Sequence, residues 1–216
     1  MTDRERVCRW QNFTVNPAGV VAQKLNGTCH SSNSKDFQVC LQSVLLPVNE
    51  TGARVPQEML TADAASFDAV LMMGLENGAK GLKLETMGYN ARGAHPKLRA
   101  FPFGPQLLPV TADLGKLEIP GLLELAGGEI WSRDAGTFFC NEVLYRTVHT
   151  IRTAPIYLHN SNTSLLPAMF VHLPCATSAE VPIPPKEKQL CPTVRLYEEL
   201  LKLIPEVAIR MVAPNM

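Results

Sequence analysis

The apolar positions of the chain fall into short blocks of two kinds. In the first kind they are continuous: Phe67 to Gly74 reads FDAVLMMG and Pro167 to Leu173 reads PAMFVHL. Runs this short, apolar and closed by Gly or Pro predict strands buried on both faces. Phe37 to Val48 (FQVCLQSVLLPV) is rich in β-branched and apolar residues and predicts a strand ending near Pro47, and Gly128 to Arg133 (GEIWSR) suits a shorter one. In the second kind the apolar positions are spaced for a helix. Pro17 to Gly27 predicts one, with Asn16 as N-cap, Pro17 at the first helical position and Asn26-Gly27 as the stop. Pro56 to Ala65 carries helix formers, Cys140 to Arg152 predicts a further helix, and Thr193 to Leu203 (TVRLYEELLKL) a closing amphipathic one. Residues 92 to 126 hold Pro and Gly too closely spaced for long elements and predict a chain wandering over the surface.

Strands alternating with helices imply an α/β sandwich with a largely parallel sheet, in one domain over residues 1–216. Sites in such sheets form at the carboxyl ends of strands, where Gly74, Gly136 and His172 fall. Twenty basic and twenty acidic residues cancel, which removes the bulk electrostatic reason to expect nucleic acid or an anionic membrane as partner. The N-terminal MTDRERVCRW is charged, and no apolar run approaches the roughly 18 residues of a membrane span, so a soluble, cytoplasmic protein is expected. Cys8, Cys29, Cys40, Cys140, Cys175 and Cys191 form no C-x-x-C pair, and reduced thiols are expected.

The candidate chemistry centres on SRDAGTFFCN, residues 132–141, where a turn precedes a cysteine and a helical run follows it. At a helix start, unpaired N–H groups and the positive end of the dipole favour thiolate at Cys140. A neutral imidazole could take its proton and return it to a leaving amine, and His172, near the end of an apolar strand, is placed for that. Glu85 is the carboxylate first considered for holding the imidazole. By spacing alone each residue also fits a structural role: a packed thiol, a satisfied core histidine, a solvated carboxylate.

Taken in order, several blocks carry a resemblance. FTVNPAGVVAQKLNG, VLLPV, FDAVLMMGLENGAKGLKLETMGYN, SRDAGTFFCNEVLYRTVH and AMFVHLP are similar to segments of the pyroglutamyl peptidase I (pyrrolidone carboxyl peptidase) family, over roughly residues 13 to 175. These are cysteine peptidases that remove an N-terminal pyroglutamate. The resemblance implies a three-layer α/β/α sandwich, with Cys140 as nucleophile, His172 as base and Glu85 as the residue orienting it. It implies no metal or organic cofactor, peptide substrates with N-terminal pyroglutamate, and a homo-oligomer as one of the states the family adopts. Arg92 resembles a family arginine near the site.

The pattern departs from the family in the recognition shell. The family's apolar first strand and aromatic loop are replaced by MTDRERVCRWQNF, so that a truncated N-terminal strand is expected, with Trp10 and Phe13 as the aromatic candidates for substrate contact. Leu75 stands where a polar lactam contact is usual, and Ala79 where Arg is common. Two expectations follow: an unpaired sheet edge, and, as the alternative function, a family-derived binding or regulatory module with altered or lost activity.

Overall fold

The computed structural model describes residues 16–76, 79, 81–117, 119, 121–122, 130–154, 156, 164–174 and 194–213. Helix α1 (Pro17–Leu25) starts where Asn16 predicts it, the asparagine side chain accepting the Ala18 N–H at 3.0 Å. Strands β1 (Cys29–Ser31) and β2 (Gln38–Cys40) form an antiparallel hairpin. Helix α2 (Glu50–Asp63) begins before the predicted Pro56 start, because Asn49 caps it by accepting the Gly52 N–H at 2.9 Å. Then come β3 (Val70–Glu76), β4 (Lys83–Glu85), β5 (Met87–Tyr89), β6 (Leu107–Pro109) and the two-residue β7 (Trp131–Ser132). Helix α3 (Phe139–Thr153), strand β8 (Ala168–Pro174) and helix α4 (Val194–Val212) follow, α4 running well past the predicted end at Leu203 and through Pro205.

The main sheet has the order β3-β8-β4-β7. β3 and β8 are parallel over seven residues, from Val70 opposite Ala168 to Glu76 opposite Pro174, and β4 and β7 are parallel as well. Only β4 against β8 is antiparallel, so the sheet is mostly parallel, as the strand–helix alternation implied. β8 lies between two neighbours and is buried at every position, which explains its unbroken apolar run. Helices α2 and α3 pack on each other, α3 also contacts β3 and β8, and α1 contacts β3 and α4.

β3 is an outer strand: among the described residues its second edge has no strand partner. That edge faces a cleft whose far wall is the segment Gln42–Val48. The expected strand over Phe37–Val48 is therefore confined to Gln38–Cys40, since the cleft keeps the rest out of ladder contact with β3.

Two further expectations are corrected. The stretch from 92 to 126 is not wholly superficial: Leu108, Val110, Ala112, Leu117, Ile119 and Leu122 are buried in the core. Its prolines and glycines break regular structure without preventing burial of the apolar side chains between them. Nor are all thiols reduced. Cys29 and Cys40 face each other across the β1–β2 hairpin, 4.0 Å apart at Cα, and are bonded as a disulfide. Cys140 is free, while Cys8, Cys175 and Cys191 lie outside the described residues. Among the described residues no helix is long and apolar enough to cross a membrane.

Candidate functional site

The register of the sheet gathers chemistry on one face. His172 of β8 is opposite Gly74 of β3 and Lys83 of β4, and side chains two apart share a face. Gly74, Glu76, Phe170, His172, Lys83 and Glu85 thus project from the same side. Helix α3 brings Cys140 onto this face from its first turn. Gly74 is what admits it. A Cβ at residue 74 would lie 2.9 Å from Cys140 Sγ and 2.8 Å from the Phe170 ring, so any side chain would displace the sulfur or the ring.

The three residues singled out in the sequence meet here. His172 is 4% exposed and shares a hydrogen bond of 2.8 Å between Nδ1 and Glu85 Oε1. The Cys140 side chain acts on the same ring and favours its charged form. Glu85 is fully buried, and its Oε2 has no hydrogen-bond partner among the described residues. Burial opposes charge on the imidazole. Hydrogen bonds to Cys140 and Glu85, together with their negative charges, outweigh that cost and raise His172 to about 9. The arrangement is suited to holding a thiolate and an imidazolium side by side, the pair an acyl transfer at sulfur requires.

Packing fixes α3 in place. The Asn141 side chain donates to the Tyr89 carbonyl at 2.9 Å and accepts the Tyr89 N–H at 2.7 Å, imitating one more strand residue beside β5. Buried Glu142 accepts Arg146 Nε at 2.8 Å and the Gly93 N–H at 2.6 Å. Tyr145 donates its hydroxyl to the Pro105 carbonyl, and Phe101 stacks on His149 with ring centres 3.9 Å apart. The loop from 91 to 106 is thereby tied to the helix that carries Cys140. Sequence reasoning passed over Asn141 and the Glu142–Arg146 pair. Their one legible signal was the Glu-x-x-x-Arg spacing, which reads equally as an exposed helix pair.

A cleft of about 690 Å³ opens beside Cys140 and His172, between α1, Gln42–Val48, β3 and α2. It is the size of small-molecule and peptide sites. Leu75 lines it; strand alternation sets Leu75 on the face opposite Gly74 and Glu76. Arg92 does not line it: its guanidinium pairs with Glu50, Nη2 to Oε1 2.5 Å, and this hydrogen bond holds the Glu50 carboxyl below its usual range. Trp10 and Phe13 lie outside the described residues.

Glu76 joins the group from the end of β3, its Oε2 4.0 Å from His172 Nδ1. Glu76, Glu85 and His172 each present a ligand atom within 4.8 Å of the others, the spacing of a metal-ligand set. With His172 Nδ1 engaged by Glu85 at 2.8 Å, the group is read as a hydrogen-bonded ion-pair cluster and not as metal ligands.

No family model matches the chain. In sequence it is 27% identical over 175 residues to a pyrrolidone-carboxylate peptidase of Halalkalibacterium halodurans, covering 76% of this chain and 79% of that one. In structure it is similar to pyrrolidone carboxyl peptidase from Thermococcus litoralis, with a TM-score of 0.68 at 16% identity over 94% of this chain and 89% of the other. A mutant pyrrolidone carboxyl peptidase from the hyperthermophile Pyrococcus furiosus gives 0.63 at 21% identity, over 92% and 90%. At such identities the structural likeness concerns the fold.

Proposed function

We propose that this chain, which belongs to the pyrrolidone-carboxylate peptidase family, is a cysteine peptidase that removes N-terminal pyroglutamate from peptides by way of Cys140, His172 and Glu85. The observation carrying the reading is the Glu85–His172 hydrogen bond on one face of the sheet, with Cys140 brought onto that face beside His172 at an open cleft.

In this mechanism the Cys140 thiolate attacks the carbonyl carbon of the pyroglutamyl peptide bond. The oxygen gains charge and is held by backbone N–H groups of the first turn of α3, which a helix leaves without internal partners. The tetrahedral adduct collapses, the C–N bond breaks, and the His172 imidazolium gives its proton to the leaving amine. A water then attacks the thioester, losing a proton to His172, and free pyroglutamate leaves as the thiol re-forms. Glu85 keeps the ring oriented and stabilises its charged form throughout. Trp10, Phe13 and Leu75 are assigned to the substrate pocket. Arg92 is given no part in the reaction because Glu50 occupies its guanidinium.

The decisive assay incubates the purified protein with a pyroglutamyl fluorogenic amide beside Cys140→Ala. Turnover lost in the variant supports the function; equal signals from both refute it.

A second reading has its own support. The cleft is bordered by the apolar Leu75 and by a strand edge that has no strand partner among the described residues, and a family-derived binding module would look so. Absence of turnover, with the amide still protecting Cys140 from alkylation, would favour it.

A further inference from the structure

Resting on the peptidase reading above, we infer that Glu76 is a positioning residue for His172, a second carboxylate beside the imidazole whose strength is set by Lys83. Three independent placements lead there. Glu76 closes β3 on the same face as His172, and its Oε2 lies 4.0 Å from Nδ1, buried and without a hydrogen-bond partner among the described residues. Its other oxygen, Oε1, accepts Lys83 Nζ at 2.8 Å. Lys83 in turn stands directly opposite His172 in the β4–β8 ladder. The carboxylate is thus held at the ring's edge by a cation anchored to the strand on the ring's far side.

The electrostatics around the ring can be set out group by group. From β4 come Glu85, in direct hydrogen bond with Nδ1, and Lys83; from β3 comes Glu76; from α3 comes Cys140. Asp134 also lines the cleft, from the turn before α3. Glu85 is dedicated to the ring. Glu76 is shared, since the ammonium on Oε1 offsets part of the field that Oε2 presents to Nδ1. A shared carboxylate favours the imidazolium without replacing the Glu85 hydrogen bond, and it leaves a lever: whatever weakens the Lys83 contact strengthens the hold on the proton.

This predicts opposite responses from two neighbours. Glu76→Gln keeps shape and removes charge, so the His172 ionisation constant should rise about threefold to tenfold, its titration falling by half to one pH unit. Lys83→Met should move it the other way by a similar factor. Both side chains are partly exposed, so neither change empties the core. The measurement is a ring-nitrogen NMR titration of His172 in the full chain from pH 5 to 10, with Glu76→Asp as a third variant whose shorter carboxylate retreats from the ring and should fall between wild type and Glu76→Gln. In the pyroglutamyl amide assay, Glu76→Gln should bring the alkaline limit of kcat down by the same interval with KM unchanged.

Opposite displacements support the role. No displacement in either variant, or displacements of the same sign, overturn it. Cys140→Ala separates the underlying function from this inference: if it leaves the His172 titration where it was, the Cys140–His172 coupling itself fails. A shift there with none in Glu76→Gln removes only the role of Glu76.

Discussion

Gly74 and the sulfur of Cys140 compete for one volume: a Cβ at residue 74 would come within 2.9 Å of Sγ. The nucleophile candidate is therefore seated by a missing side chain on the neighbouring strand. Gly74→Ala should leave helix content unchanged by circular dichroism yet slow iodoacetamide alkylation of Cys140 by roughly 10-fold to 100-fold, the effect of about an ångström of misplacement. An unaltered alkylation rate would contradict the seating.

In the proposed mechanism Glu85 acts through the His172 ring. Glu85→Gln keeps the volume and removes the charge that the imidazolium needs, so turnover of the pyroglutamyl amide should fall by about 10²- to 10⁴-fold, mainly in kcat. A loss confined to KM would show that Glu85 contacts substrate instead.

The elevated His172 gives a signed pH dependence. Its folded-state value of about 9 lies above the ordinary 6.5, so the stability it contributes is fully present below 6.5 and is lost as pH rises through 9. Thermal unfolding followed across this interval should show Tm falling with rising pH, and Cys140→Ala should flatten the fall because one source of the elevation is gone. Turnover should decline above about pH 9, where the acid that protonates the leaving amine disappears.

Much of this site was legible in the sequence because its chemistry is carried by residues whose type is informative. A cysteine at a helix start and a histidine in a buried strand sit in the elements predicted for them, while nothing in the pattern predicts β4, the strand that ends on Glu85. What escaped was relational. Gly74 reads as a strand terminator until the register sets it beside Cys140. Arg92 reads as a site residue until Glu50, distant in sequence, claims it. The Cys29–Cys40 bond depended on a hairpin within a stretch whose composition reads as a polar loop. The strand expected to continue to Val48 failed for a similar reason, since apolar content states a willingness to pair and the neighbour decides whether pairing occurs.

Asn141 tests how firmly α3 is held. Asn141→Ala removes two hydrogen bonds and strands the Tyr89 N–H, while the Tyr89 carbonyl keeps the Ala91 N–H at 2.8 Å, so urea denaturation should show a loss of about 1–3 kcal/mol. A loss below about 0.5 kcal/mol would mean that water replaces the side chain there.

The outer edge of β3 has a consequence in time. Val70 directs its N–H to the Pro167 carbonyl on the β8 side, and alternation sends the amides of Met72, Gly74 and Glu76 the same way. Those of Leu71, Met73 and Leu75 point into the cleft and have no backbone partner among the described residues. A single seven-residue strand should therefore exchange its amide protons with deuterium at two rates, slow and fast residue by residue. A ligand or segment that pairs with this edge would slow the three fast amides alone, so the cleft carries its own occupancy gauge, readable without any catalytic assay.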